Sequence, residues 1–217
     1  MLHVVALSSY SFLRQYVCIV IAAAVTAFGA QGCRRSAGAA DGTPAALASA
    51  ALTDQDGQAR RFADFQGKIV VLSFFFANCP SVCPRETQAL ADVQRRVAPA
   101  LARRVQFISF TVDPNEDTPD KLKAFARANG ADLGNWSFVR APESATTALA
   151  KALAVFSGPV QAQAAPAGHN TSVYLFDDRG RLMQRYAGSP LDVARLAREI
   201  EQLDQLPKHE PELITRL

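Results

Sequence analysis

The chain has 217 residues, 49% of them hydrophobic, and a formal net charge of +3. That length supports one well-buried core and hardly two. With so small a charge and no basic stripe interleaved with aromatics, a nucleic-acid partner is set aside.

The first segment reads as an export signal. Arg14 precedes an apolar run over 17–30, and small residues lead up to Cys33. A secretory apolar region holds about 7–15 residues and a spanning helix about 20; the run is nearer the former. Ala30-Gln31-Gly32-Cys33 resembles a bacterial lipoprotein box, which makes Cys33 a lipidation candidate. An uncleaved membrane anchor and plain secretion are the other readings. Arg34 and Arg35, just after the run, weigh mildly against export of the side they occupy,. All three readings place the body outside the cytoplasm, where close thiols can oxidise. The expected location is the bacterial cell envelope, on a membrane through the N-terminus, with the domain facing the periplasm. The expected organisation is a signal peptide or membrane anchor over 1–32, a flexible linker over 33–46, a folded domain over 47–207 and a tail over 208–217. Over 36–51 the Ala/Gly/Ser-rich composition cannot pack a core and acts as a tether,.

Residues 52–67 carry a turn signal at Asp56-Gly57 between short alternations, as in a hairpin,. The near-continuous apolar run over 68–76 is that of a central strand buried on both faces. Leu90, Val93 and Val97 then recur at helical intervals within 86–98, before Pro99. A second buried strand covers 105–112. Thr118-Pro119-Asp120 opens a helix with Leu122, Phe125 and Ala126 on its apolar face, and Gly130 stops it,. A short strand over 136–139 and a helix over 142–155 follow. The loop over 156–170 is too long for an idle connection. Strands over 171–176 and 181–186 flank the turn Asp177-Asp178-Arg179-Gly180,. An amphipathic helix over 191–206 closes the series. Alternating strands and helices indicate an α/β domain, a mixed sheet with helices on both faces. Met183 and Trp136 read as packing residues, as does Tyr174. Arg95, Arg96, Arg103 and Arg104 read as a solvated helix face and its exit.

Cys79 and Cys83, with three residues between them, stand at the end of the first buried strand, and His169 stands before a later one. Residues four apart on a helix face one way, so both sulfurs can address one ion. Unpaired amides and the helix dipole stabilise a thiolate there, and Pro84 suits a first turn. Two thiols and an imidazole form a soft set suited to Cu(I), and three ligands fit trigonal copper better than four-coordinate structural zinc. A redox pair, an inert or disulfide-bonded pair and a peroxidatic cysteine are the alternatives.

Three blocks together resemble the Sco/SenC family of copper chaperones over residues 47–206. They are Asn78-Cys79-Pro80-Ser81-Val82-Cys83-Pro84, then Ser109-Phe110-Thr111-Val112-Asp113-Pro114 with Asp117-Thr118-Pro119, and Gly168-His169-Asn170-Thr171 leading into Tyr174-Leu175-Phe176-Asp177. The resemblance implies a thioredoxin-like fold, a central mixed sheet flanked by helices, here with an N-terminal β-hairpin extension. It also implies Cu(I) or Cu(II) held by Cys79, Cys83 and His169, and Asp113 is the candidate for an outer-shell role. The implied task is delivery of copper to the dinuclear centre of cytochrome c oxidase subunit II, or to another periplasmic copper protein, by a monomer. The alternative is a dedicated thiol-disulfide oxidoreductase, with Cys79 and Cys83 as the redox pair, that reduces the cysteines of that centre. A general thioredoxin-type reductase is disfavoured by the three-residue spacing, and by His169-Asn170 where a cis-proline is expected. Asn170 departs from the family's usual Ser or Thr after the histidine.

Overall fold

In the computed structural model, residues 51–97, 99–155 and 170–206 are described. All of them fall within the unit Ala39–Leu217. A seven-stranded sheet runs through it in the order β2-β1-β5-β4-β3-β6-β7. β1 (Ala51–Asp54) and β2 (Ala59–Arg61) form the expected hairpin, closed at Gly57, whose φ of 75° is open to glycine,. A 3-10 turn at Phe62–Phe65 then leads to the centre of the sheet.

β3 (Ile69–Phe75) is buried throughout and pairs in parallel with β4 (Val105–Thr111). Its side chains alternate between two cores, as a strand's period of two requires. Ile69, Val71 and Phe75 join one core with Leu90, Leu122, Leu196 and Ile200. Val70, Leu72 and Phe74 join the other with Phe62, Phe65 and Leu149. Thus α1 (Val82–Arg96), α2 (Pro119–Ala128) and α4 (Val193–Gln205) contribute to one side of the sheet. α3 (Glu143–Ala152) and the 3-10 turn cover the other. β5 (Trp136–Arg140) runs parallel to β4, whereas β6 (Ser172–Phe176) pairs antiparallel with β3, and β7 (Leu182–Ala187) antiparallel with β6.

Helix α1 begins at Val82, a turn earlier than the apolar spacing places it. Pro84 is no obstacle there, because the first amides of a helix have no intrahelical partner. The early start puts Cys83 inside the helix. Trp136 is buried as expected, its indole donating to Ser109 Oγ at 3.0 Å. Tyr174 is also buried, its hydroxyl donating to Leu153 O at 2.7 Å. Met183 departs from expectation at 43% exposed, because it lies on the edge strand β7, whose residues are mostly exposed. Arg104 is also less solvated than expected, for it pairs with Asp204.

Candidate metal centre

The chain leaves β3 at the C-terminal end of the parallel strands, turns through Cys79 and enters α1. Cys79 N–H donates to Phe76 O at 3.2 Å, which tightens that turn. Cys83 N–H donates to Cys79 Sγ at 3.3 Å. This bond brings the thiol of the loop to the first turn of the helix. Cys79 is half-buried, Cys83 is buried, and neither is in a disulfide.

The two thiols are electrostatically unlike. Burial on its own raises Cys79, but the Cys83 thiol and the amides of Cys83, Ser81 and Val82 outweigh it, so the thiol sits below its ordinary value,. Cys83 moves the other way. Burial pushes it up first, the Cys79 sulfur adds to this, and the Phe76 backbone only partly opposes it. Cys79 is therefore the sulfur readier to carry charge, and Cys83 holds its proton until something replaces it.

Asp117 braces the cysteine turn from behind. Its Oδ2 accepts from Ala77 N–H at 3.0 Å and from the Thr111 hydroxyl at the end of β4. Thr111 Oγ1 in turn accepts Asp113 N–H at 3.0 Å. Burial pushes the Asp117 carboxyl up, with Thr111 and the Ala77 amide pulling against it. Asp113, the outer-shell candidate, stands part-exposed at the same corner, and its charge acts on Asp117. Asp117 lies inside a motif singled out from the sequence. Nothing local marks it as the residue that ties β4 to the cysteine turn, because the tie spans 40 positions.

Glu86 is a second residue that the motifs do not mark, although the sequence carries a signal for it. It falls four residues before Leu90, in step with Leu90, Val93 and Val97, so a carboxyl occupies the apolar stripe of α1,. It is 3% exposed, and burial pushes it up to about 8.

His169 and Cys33 lie outside the described residues, as do the linker and the tail. The neighbour of His169 is placed firmly: Asn170 N–H donates to Val155 O at 2.7 Å, and its Nδ2 donates to Ala154 O at 2.7 Å. Among the described residues, no three His, Cys, Asp or Glu side chains gather as a metal site. A three-ligand centre built on Cys79 and Cys83 therefore needs a donor from elsewhere in the chain. Among the described residues no helix is long and apolar enough to cross a membrane.

The family model described as SCO1/SenC matches residues 39–205. The SCO1 protein homolog of Bacillus subtilis (strain 168) is 30% identical over 138 residues, which are 62% of this chain and 70% of that protein. Among solved structures, a SCO1/SenC family lipoprotein from Bacillus anthracis str. Ames is similar at a TM-score of 0.62 and 32% identity, over 71% of this chain and 92% of its own. BsSco, a member of the Sco family of cytochrome c oxidase assembly proteins, is similar at a TM-score of 0.61 and 26% identity, over 72% of this chain and 92% of its own.

Proposed function

This chain belongs to the SCO1/SenC family, and on that premise we propose that it is a copper metallochaperone acting in the assembly of cytochrome c oxidase. Cys79, Cys83 and His169 hold the ion, and the recipient is the dinuclear copper centre of subunit II. The domain works as a monomer in the periplasm, tied to the membrane through its N-terminus, with Cys33 carrying the lipid. Copper is cargo here, so its ligands must bind tightly and still exchange.

The observation that carries this reading is the Cys83 N–H to Cys79 Sγ bond, which pairs two sulfurs at a helix start. Their softness suits Cu(I) above hard cations. Cys79 is disposed to be a thiolate, and Cys83 gives up its proton when the metal enters, as sulfur ligands must. The missing third donor fits His169, whose neighbour Asn170 is fastened to Ala154 and Val155, just past the end of α3.

Reconstitution of the chain with Cu(I) and Cu(II) tests the reading. One sulfur-ligated ion per chain is expected, lost in Cys79→Ser and Cys83→Ser and strongly weakened in His169→Ala with the fold intact. Full binding by the histidine variant overturns the three-ligand centre.

The unlike thiols also favour a second reading, reduction of a disulfide in the recipient. The Cys79 thiolate attacks one sulfur of that disulfide and releases the other as a thiolate, giving a mixed disulfide. The Cys83 sulfur, having lost its proton, then attacks Cys79 Sγ and frees the second recipient thiol. The chain ends with a Cys79–Cys83 disulfide, and the recipient has gained two electrons and two protons. A partner-specific exchange assay with metal-free protein distinguishes this role.

A further inference from the structure

Helix α3 ends in a backbone cap. Ala154 N–H donates to Lys151 O at 3.2 Å and Val155 N–H to Ala150 O at 2.8 Å, the Schellman pattern. Its left-handed position, usually glycine, is held by Ala154 at a φ of 51°. The cap is stiff all the same, because Val155 is buried in the same core as Leu149 and Leu153. Both carbonyls that leave this cap are taken by one residue. Asn170 Nδ2 donates to Ala154 O and Asn170 N–H to Val155 O, each at 2.7 Å. The two bonds join the residues that flank 156–169.

The amide is not arranged for its own satisfaction. Asn170 Oδ1 is buried without a hydrogen-bond partner, which is unfavourable. Turning the amide over gives no relief, since Ala154 O needs a donor and only Nδ2 supplies one. Nor does the sheet require the clamp. β6 is paired with β7 from Ser172 and with β3 from Tyr174, and Thr171 O accepts Gly188 N–H. The clamp acts one residue earlier, directly after His169. Consecutive Cα atoms are about 3.8 Å apart, so fixing Asn170 fixes the point from which the histidine is carried.

Resting on the three-ligand reading, we infer that Asn170 is a positioning residue for His169: its hydrogen bonds to the cap of α3 hold the attachment of the imidazole before copper arrives. A ligand that is already ordered loses less freedom on binding. Ordering the backbone of one residue is worth about five- to thirtyfold in affinity.

The test is a double-mutant cycle. Cu(I) affinity is measured by chelator competition for the wild-type chain, Asn170→Ala, His169→Ala and the two substitutions together. Asn170→Ala is expected to weaken binding about five- to thirtyfold when the histidine is present and to change nothing when it is absent. Equal weakening in both backgrounds, as a merely structural role would give, overturns the inference. Should Asn170→Ala fail to fold, as judged by metal-free melting, Asn170→Leu, similar in size and without a donor, takes its place with the same outcomes. A weakened His169→Ala beside an unaffected Asn170→Ala overturns the inference alone. A His169→Ala chain that binds as wild type does is a different result, which removes the three-ligand reading and this inference with it.

Discussion

The acids at the turns of this sheet and the acids at its cysteine end are treated in opposite ways. Asp177, buried in the β6–β7 turn, accepts from Arg179 N–H at 3.0 Å, Arg181 N–H at 2.9 Å and Arg181 Nε at 2.7 Å. Asp54, buried in the β1–β2 turn, accepts from Asp56 N–H, Gln58 N–H and Arg60 Nε. Both are satisfied and both sit beside an arginine. At the other end, Glu86 has two unpartnered oxygens and Asp117 has one. Among the described residues the remaining unpartnered buried side-chain oxygen is Asn170 Oδ1, next to His169. Surplus acceptors therefore collect where a cation is proposed to bind, and the turns carry none. The turn acids stabilise the fold; the acids near the cysteines hold protons in reserve, because burial pushes both carboxyls up.

The largest expected effect tests that reserve. The Glu86 carboxyl titrates near 8 in the fold and near 4.5 when unfolded. Between those values the folded chain keeps a proton that the unfolded chain has released. The Glu86 contribution to the stability of the metal-free protein is therefore fully present below about pH 4.5 and is lost as pH rises through about 8, an amount of order several kcal/mol. Asp117, also raised, adds a slope of the same sign. Melting curves across this range should fall steeply for wild type and much less for Glu86→Gln. A wild-type curve that is flat or rising would erase the contrast between the two ends.

Next in size is Asp177→Ala, which leaves two turn amides and an arginine without their acceptor. A loss of about 2–4 kcal/mol in denaturant unfolding is expected, with copper stoichiometry unchanged. Asp117→Asn should cost less in stability, about 1–3 kcal/mol, and should also weaken copper binding, because it loosens the Ala77 amide two residues before Cys79. If Asp177→Ala disturbed copper binding as much as Asp117→Asn, the division of roles would be wrong.

Much of this is legible in the sequence alone. The apolar run of β3, the turn at Asp177-Asp178-Arg179-Gly180 and the spacing of Cys79 and Cys83 are all local signals, and local signals survive translation into structure. Apolar spacing places the start of α1 too late because it first appears at Leu90, whereas the helix begins where amides need no partner. Glu86 could have been found by asking why a carboxyl keeps step with Leu90 and Val93. Asp117 could not, since its burial depends on β3 and β4 lying side by side. Met183 misled for a related reason: hydrophobicity does not say which face of an edge strand meets solvent.

The smallest expected effect sharpens the comparison most closely in space. Thr118 follows Asp117 directly, yet its side chain serves the helix alone, accepting Lys121 N–H at 3.4 Å as the N-cap of α2. Removing a cap of this kind typically costs about 1 kcal/mol. Thr118→Ala should thus lower the melting midpoint slightly and leave copper affinity and its oxidation-state preference as they were. Asp117→Asn, one residue away, should move the copper readout. If both variants shift it together, the cysteine turn responds to the register of the whole α2 entry, and the Asp117 hydrogen bonds lose their special standing. If only the aspartate does, the link from β4 to Cys79 runs through a single carboxyl.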